Sequence, residues 1–287
     1  MTPDSVRIER ASPMRLEAAG RYVTAAQCDP LRHVTYVGED PDSILDEFAE
    51  AERWEERLLV AIVGDEVAGV LLPYIDQDMR RVWWIGPWAD TKELATELLS
   101  DARRRFGSLF DEEEMAPDSR NELVRSVAAN TGFSEGTWSS VLSKHELDPS
   151  GSATSVPLED EQLDAVAALH QRLFPGTHTP GDRLAATERT RMRTIHVDGR
   201  LAGYVAFEIQ ADGTGYIDYL GVAPTYRRRG IGRALVTDVC RELAEEGVPA
   251  VHLTVRADAP GAVDLYRSVG FNEERLIVPC RLGFALG

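Results

Sequence analysis

The sequence predicts an α/β protein made of two similar domains in tandem, each with a mixed, mostly antiparallel sheet flanked by helices. Three observations lead to this fold class. Short motifs recur at a nearly constant spacing, strand-like and helix-like segments alternate, and hairpin signals stand near both ends of the second half. Hairpins join antiparallel strands, whereas strands separated by helices can pair in parallel, so we expect a mixed sheet in each domain.

The recurring motifs indicate an internal duplication. Three short stretches match later ones at offsets of 134, 135 and 138: residues 63–69 (VGDEVAG) and 197–203 (VDGRLAG), 84–87 (WIGP) and 219–222 (YLGV), 131–133 (TGF) and 269–271 (VGF). Between the copies, residues 147–157 (LDPSGSATSVP) are rich in Ser, Gly and Pro and lack periodicity, which is typical of a linker. We therefore expect one domain over residues 1–148, a linker over 149–156 and a second domain over 157–287.

The elements of the second domain follow from hydrophobic periodicity and turn residues. In chain order we expect a helix over 161–174, a hairpin of strands 193–197 and 201–209, a strand over 216–222, a helix from 230 to 247, a strand over 251–255, a helix over 262–269 and a strand-like tail over 276–284. Asp198 and Gly199 supply the hairpin turn, and Gly247 followed by Pro249 ends the long helix.

The composition is that of a globular protein, with 43% hydrophobic residues and a net charge of -17. This excess of carboxylates predicts no binding to nucleic acid or to an anionic membrane, because both require a basic surface. No apolar run approaches the roughly 18 residues that cross a bilayer, and the first residues lack the apolar core of a signal peptide, so we expect a cytoplasmic protein. The three cysteines are scattered, so neither a disulfide framework nor a metal site is predicted.

Residues 226–235 (YRRRGIGRAL) contrast with the acidic chain, because their six positions 227–232 place three arginines and two glycines between a predicted strand and a predicted helix. Glycines at the start of a helix leave backbone N–H groups accessible, and the helix dipole adds a partial positive charge there. A phosphate group fits such a position, and arginines add charge-assisted hydrogen bonds. We expect Gly230 and Gly232 to let the backbone approach the anion closely.

Three ligands could use this loop. A Walker nucleotide loop needs GxxxxGK[ST], and no lysine follows the glycines here. A dinucleotide fingerprint needs a third glycine or alanine where Leu235 stands, and the loop over 223–229 is longer than its tight turn. The third ligand is coenzyme A, which carries a diphosphate.

The motifs of the second half resemble those of the GNAT N-acetyltransferase superfamily. Residues 227–232 (RRRGIG) fit its acetyl-CoA signature (Q/R)-x-x-G-x-(G/A), and residues 220–226 (LGVAPTY) look like its strand-to-loop approach. Residues 259–271 (APGAVDLYRSVGF) fit a second family pattern, N-x-x-A-x-x-L-Y-x-x-x-G-F, except that Ala259 replaces the asparagine. The resemblance covers about residues 157–287. It implies acetyl-CoA as cosubstrate and direct transfer of acetyl to an amine, which we expect to belong to a small molecule.

The resemblance also assigns residues to the cofactor. Those expected to contact acetyl-CoA are Leu220, Val222, Arg227, Arg228, Arg229, Gly230, Ile231, Gly232, Arg233, Asp258, Ala259 and Ala262. Among them, the backbone N–H of Val222 matches the family's donor to the developing oxyanion. Asp258 could substitute for the polar contact of the asparagine that Ala259 replaces.

The catalytic candidates are Tyr266, Asp218 and Glu208. Tyr266 matches the family's position for the acid that protonates the departing thiolate. A primary amine, with a pKa of about 10.4, is mostly protonated at neutral pH and needs a base. Since side chains alternate along a strand, Asp218 should share a face with Tyr216, Leu220 and Val222, so it is the first candidate base. Glu208 on the neighbouring strand is the second.

Two histidines are weaker candidates. A lone histidine on a helix, such as His170, is more often structural, whereas His178 lies in a loop where relatives often contact the acceptor. The run Asp111-Glu112-Glu113-Glu114 is interpreted as a solvated loop.

The first half keeps the scaffold motifs without the arginine-glycine loop, and Ala128 stands where the second half has Tyr266. We therefore expect a degenerate first copy and catalysis in the second domain. Two alternatives stay open. The chain could be a non-catalytic acyl-CoA-binding sensor or partner-binding module, or an acetyltransferase similar to mycothiol synthase, which shares the tandem layout.

Overall fold

The computed structural model describes residues 6–35, 37–39, 41, 44–45, 48, 54–175, 177, 179–184 and 189–283. The chain divides into two compact units. The first contains residues 1–139 and 275–287, and the second contains residues 140–274.

The first unit is built on a seven-stranded sheet in the order β1-β2-β3-β4-β5-β14-β6. Its strands are β1 (Val6–Arg10), β2 (Leu59–Val63), β3 (Glu66–Asp76), β4 (Arg81–Ala89), β5 (Glu112–Met115), β6 (Ser134–Glu135) and β14 (Cys280–Leu282). Its described helices are α1 (Pro13–Gln27), α2 (Trp54–Arg57), α3 (Lys92–Phe106) and α4 (Glu122–Asn130). The apolar run of β2 is buried in the core, as are the indole rings of Trp84 and Trp88 on β4.

The second unit has a sheet in the order β13-β7-β12-β11-β10-β9-β8. Its strands are β7 (Ser139–Lys144), β8 (Val156–Pro157), β9 (Arg191–Val197), β10 (Arg200–Ile209), β11 (Gly215–Val222), β12 (Val251–Arg256) and β13 (Asn272–Ile277). Its helices are α5 (Leu163–Leu173), α6 (Ile231–Glu245) and α7 (Pro260–Arg267). The elements predicted between residues 161 and 269 are present, with ends shifted by a few residues. The single strand-like tail expected over 276–284 is wrong: Asn272–Ile277 forms β13 and Cys280–Leu282 forms β14, and the two belong to different sheets. Residue 284 lies outside the described residues.

Both sheets are mixed in the same way. Neighbouring strands from β1 to β4 and from β8 to β11 pair antiparallel, whereas β4 with β5 and β11 with β12 pair in parallel. The predicted fold class of two mixed, mostly antiparallel sheets flanked by helices is confirmed, and the shared strand order agrees with the internal duplication inferred from the motifs.

The units do not follow the predicted boundaries. Residues 139–144 were expected in a domain ending at 148, yet they form β7, which lies between β12 and β13 in the sheet of the second unit. Strand β14, from the C-terminal end of the chain, lies between β5 and β6 in the sheet of the first unit, antiparallel to both. Composition marks where a linker runs, but strand pairing decides which sheet a strand joins.

The acidic run after Phe110 is a correction to the sequence interpretation. Residues Glu112–Met115 form strand β5 rather than a solvated loop, and Glu113 and Glu114 are buried. Arg103 pairs with Glu113 at 2.7 Å and Arg281 pairs with Glu114 at 2.8 Å, so these charges are compensated. Among the described helices, none combines the length and the apolar character needed to cross a bilayer.

Candidate active site

The centre of the second unit is a gap between two parallel strands. Strands β11 and β12 pair only from Gly215–Val251 to Ile217–Leu253, although β11 continues to Val222 and β12 to Arg256. On the other edge, β11 stays paired with β10 along its length. Because the N–H of Ala223 donates to the carbonyl of Ala202 on the β10 side, alternation directs the N–H of Val222 to the edge that β12 has left. A ligand chain could pair with that edge.

Helix α6 begins beside this gap without a side-chain cap. Its N-cap is Gly230, and its first turn contains no acidic residue. The backbone hydrogen bond to the N-cap residue runs from the N–H of Ala234 to the carbonyl of Gly230, at 2.9 Å. The N–H groups of residues 231–233 therefore have no partner within the helix. Together with the helix dipole they form an anion-binding position.

Four arginines flank that position in the sequence, and all are exposed: Arg227, Arg228, Arg229 and Arg233. Two of these arginines contact only backbone carbonyl groups, which carry no net charge. The Nε of Arg227 donates to the carbonyl of Val222 at 3.2 Å, and an Nη of Arg233 lies 3.5 Å from the carbonyl of Ser268. The guanidinium of Arg229 lies 5.5 Å from the centre of the Tyr226 ring. Within the described part of the chain none of the four forms an ion pair with a carboxylate, which is unusual in so acidic a protein.

The two glycines of the loop have different physical requirements. Gly230 has φ +81°, in the left-handed region, and a Cβ added there would meet nothing within 4 Å. A Cβ on Gly232 would lie 2.8 Å from Cδ1 of Leu265 and 3.6 Å from a methyl carbon of Val222. The glycine at 232 thus permits close packing of α6 against Leu265. Its predicted role in letting an anion approach the backbone stays a prediction.

A β-bulge in β11 changes the predicted faces of the strand. Tyr219 pairs with Ala206 and Ile217 pairs with Phe207, so Asp218 has no partner on β10. Ile217, Leu220 and Val222 pack in one cluster with residues of α6, whereas Tyr219 packs with α5. The expectation that residues 216, 218, 220 and 222 share a face is therefore wrong for 220 and 222, because the extra residue inverts the alternation.

Asp218 and Glu208 lie close together, as expected for residues on neighbouring strands. They line one pocket of ≈ 210 Å³, whose other lining residues are Thr190, Phe207, Gln210 and Tyr216. Asp218 is accessible to solvent, yet the protein atoms around its carboxyl group and the charge of Glu208 raise its pKa to about 7. A carboxylate with this pKa is half-protonated near neutral pH, which suits proton transfer.

Tyr266 lies on the buried face of α7, where its ring packs edge-on against Phe271 with the ring centres 5.8 Å apart. Burial raises the pKa of its hydroxyl far above the usual value, and the nearby Tyr216 adds to the shift. The side chain is therefore protonated at neutral pH, as an acid must be. Among the described residues none forms a hydrogen bond with this hydroxyl.

Three predicted cofactor residues stand at the start of α7. Ala259 is its N-cap and provides no side-chain cap, and the N–H of Ala262 donates to its carbonyl at 2.9 Å. Asp258 is exposed and forms a two-point ion pair with Arg256 at 2.9 and 2.7 Å, which lowers the pKa of its carboxyl group. Its oxygens are thus already engaged by a cation.

His170 is a structural residue. It is fully buried, and its ring nitrogens lie 2.6 Å from the Tyr204 hydroxyl and 2.9 Å from the carbonyl of Thr179. Since a carbonyl only accepts, Nε2 carries the proton and Nδ1 accepts from Tyr204. Burial lowers the pKa of the imidazole, so it stays neutral. His178 lies outside the described residues.

The sequence interpretation missed part of the pocket. Tyr216 was placed on the right strand, but its role as a wall next to Asp218 was not foreseen, and Thr190 carried no signal at all. The bulge was missed because no glycine or proline marks Asp218.

In the first unit, described residues occupy the position equivalent to this gap. Strands β4 and β5 also pair over only three residues each, from Arg81–Glu112 to Trp83–Glu114. Past β5, however, the chain itself fills the edge. The N–H of Thr35 donates to the carbonyl of Ala116 at 2.9 Å, and the N–H of Asp118 donates to the carbonyl of His33 at 3.1 Å.

Side-chain hydrogen bonds hold the segment of residues 33–35 that fills this edge, and helix α3 of the same unit has a side-chain cap. The side-chain amide of Gln27 accepts from the N–H of Val34 and donates to the carbonyl of Val34. Nε1 of Trp88 on β4 also donates to the side-chain oxygen of Gln27, at 3.1 Å. Helix α3 has the hydroxyl of Thr91 as its cap and Glu93 in its first turn. Both features disfavour an anion there.

Comparison with known proteins agrees with this geometry. A model of the Acetyltransferase (GNAT) family matches residues 163–271. Over 123 residues the chain is 37% identical to the ribosomal protein bS18-alanine N-acetyltransferase of Escherichia coli (strain K12), a match that covers 40% of this chain and 78% of that protein. It is 39% identical over 82 residues to the mycothiol acetyltransferase of Nocardiopsis dassonvillei, covering 26% of this chain and 25% of that one.

The whole chain also resembles solved structures. A GCN5-related N-acetyltransferase from Sphaerobacter thermophilus superposes with a TM-score of 0.79 at 18% identity, over 98% of this chain and 96% of that one. At this identity the similarity concerns the fold, and it extends over both units.

Proposed function

Since the chain belongs to the GNAT acetyltransferase family, we propose that its second unit transfers the acetyl group of acetyl-CoA to a primary amine of a small molecule. The observation that carries the proposal is the uncapped start of α6 beside the gap between β11 and β12, with four arginines that have no carboxylate partner among the described residues. A diphosphate at the helix start would receive the N–H groups of residues 231–233 and the arginines. An extended chain attached to it could run along the open edge of β11 next to Leu220 and Val222.

The proposed reaction needs one base and one acid. The carboxylate of Asp218 removes a proton from the ammonium group of the acceptor, directly or through water, and the free amine attacks the thioester carbonyl. The N–H of Val222 donates to the oxygen on which negative charge develops. As the new C–N bond forms and the C–S bond breaks, Tyr266 gives its proton to the departing sulfur. A proton released from the amine later restores the tyrosine.

The supports for these roles differ. For Asp218 they are the pocket and a pKa of about 7, and for Tyr266 they are the family motif and a hydroxyl that is protonated and without a partner in the described chain. Asp258, Ala259 and Ala262 stay predicted cofactor contacts. The ion pair with Arg256 makes Asp258 the weakest of them, because an anionic ligand would meet its charge.

Release of free thiol from acetyl-CoA tests the proposal, with a panel of small primary amines and a peptide that begins with alanine as acceptors. We expect turnover with at least one small amine. Tight binding of coenzyme A without turnover would favour the sensor alternative, and turnover with the peptide alone would refute a small-molecule acceptor.

Tyr266→Phe should slow thiol release by about 100-fold if the hydroxyl is the acid. Tyr74→Phe, an exposed tyrosine of the first unit, is the matched control and should keep the full rate. An unchanged rate in Tyr266→Phe would remove this residue from the mechanism.

A further inference from the structure

The pocket around Asp218 contains one negative charge more than the reaction needs. Asp218 is required as the base, whereas Glu208 is half-buried in the same pocket and has no cationic partner among the described residues. Arg191, which pairs with Phe207 across β9 and β10, does not line this pocket; it is engaged by the carboxylates of Glu242 and Glu246 and stacks over Phe207. The charge of Glu208 is therefore available to a ligand.

We infer that the acceptor is a diamine: one amino group reacts at Asp218, and a second, which stays protonated, binds Glu208. This rests on the proposed function. Once Asp218 has taken a proton it is neutral, and Glu208 is left as an unbalanced carboxylate in a partly enclosed site. A second ammonium group within a few ångströms neutralises it, and takes no part in bond making.

The shape of the pocket agrees with a slender diamine. Its volume of ≈ 210 Å³ is below the roughly 300–1,000 Å³ of sites for drug-sized ligands, so it admits one arm of a molecule. The ring of Tyr216 gives an alkyl chain an apolar wall, and Gln210 is an exposed polar group at the rim. A carboxylate close to the reacting amine would be repelled by both Glu208 and Asp218.

Three acceptors with four carbon atoms each compare the charge at the far end of the molecule: 1,4-diaminobutane, n-butylamine and 4-aminobutanoate, which end in an ammonium, a methyl and a carboxylate group. With acetyl-CoA we expect kcat/KM to fall in that order, by about 10-fold or more at each step. The diamine should accumulate as its monoacetyl product, because that product carries a single charge and behaves like n-butylamine.

Glu208→Gln should reduce the preference for the diamine over n-butylamine to within about twofold. Asp164→Asn removes an exposed carboxylate of α5 that does not line the pocket, and it should keep the wild-type preference. The ratio of two acceptors is measured in one protein at one pH, so a change in the pKa of Asp218 cancels.

The outcomes separate the two proposals. If no acceptor releases thiol, the proposed function fails, and this inference fails with it. If n-butylamine reacts as well as the diamine in the wild type, or if Glu208→Gln keeps the preference, the acetyltransferase proposal stands and the diamine inference is overturned.

Discussion

Replacing Gly230 by alanine tests whether the left-handed N-cap of α6 serves a ligand. The residue has φ +81°, and an added Cβ would be in open space, so the cost to the folded protein is backbone strain without a clash. That strain is roughly 1–2 kcal/mol, and the loss of flexibility in the unfolded chain offsets roughly 0.4–1 kcal/mol of it. We expect a net loss of about 1 kcal/mol in the free energy of unfolding.

Gly247 provides a matched control at the other end of the same helix. It has φ +78°, and a Cβ added there would also meet nothing within 4 Å. Gly247→Ala should therefore lose about the same stability in urea denaturation, roughly 1 kcal/mol. The two variants differ only in what lies beside them, because Gly230 adjoins the free N–H groups of residues 231–233 and Gly247 follows the last turn.

Binding of acetyl-CoA should separate the variants. In Gly230→Ala either the methyl group stands beside the amides or the backbone relaxes and turns them away. The loss of one charge-assisted hydrogen bond, roughly 1.5–3 kcal/mol, weakens the Kd by at least about 10-fold in titration calorimetry. Gly247→Ala should bind like the wild type. Equal stability losses with an unchanged Kd in both variants would refute the diphosphate position, and no stability loss in either would refute the left-handed conformation.

Three further predictions concern Asp218 and the first unit. The rise of kcat/KM with pH should have its midpoint near pH 7, the pKa of Asp218. Glu208→Gln should move this midpoint to lower pH, because the charge of Glu208 raises the pKa of Asp218. An unchanged midpoint would mean that another group is the base. Between pH 4 and 7 the folded protein keeps a proton on Asp218 that the unfolded chain releases, so stability falls as the pH rises. Asp218→Asn should therefore raise the Tm above pH 7 but not near pH 4, and an equal change at both pH values would contradict the assigned pKa. Because residues 33–35 fill the edge beside β5, calorimetry should give one acetyl-CoA bound per chain, and two would show that the first unit also opens.

The sequence predicted the parts of the fold that depend on local patterns. The helix from 230 and the strand over 216–222 follow from periodicity and from glycines at turns, and the arginine loop was placed between them correctly. Strand β5 was missed because its three glutamates hide the pattern of a buried strand. Burial of Glu113 and Glu114 depends on Arg103 of helix α3 and on Arg281, which is 167 residues from Glu114. The pattern of strand β5 itself identifies neither partner.

The candidate site was predictable in its residues and less so in its geometry. Asp218 and Glu208 do meet in one pocket, as expected for neighbouring strands. The bulge could not be foreseen, because it is a property of the pairing between β10 and β11 and is not marked by a residue type in either strand. The reason for a glycine at 232 was also hidden, since it depends on Leu265, which is brought close only by folding.

The placement of β14 has a consequence for damage to the chain. Proteolysis before residue 280, or a premature stop codon at 280, would remove the strand between β5 and β6 and leave two unpaired edges in the sheet of the first unit. The strands around the gap at β11 would keep all their neighbours. Such a protein would keep the sheet of the second unit intact and would acquire aggregation-prone strand edges in the first unit.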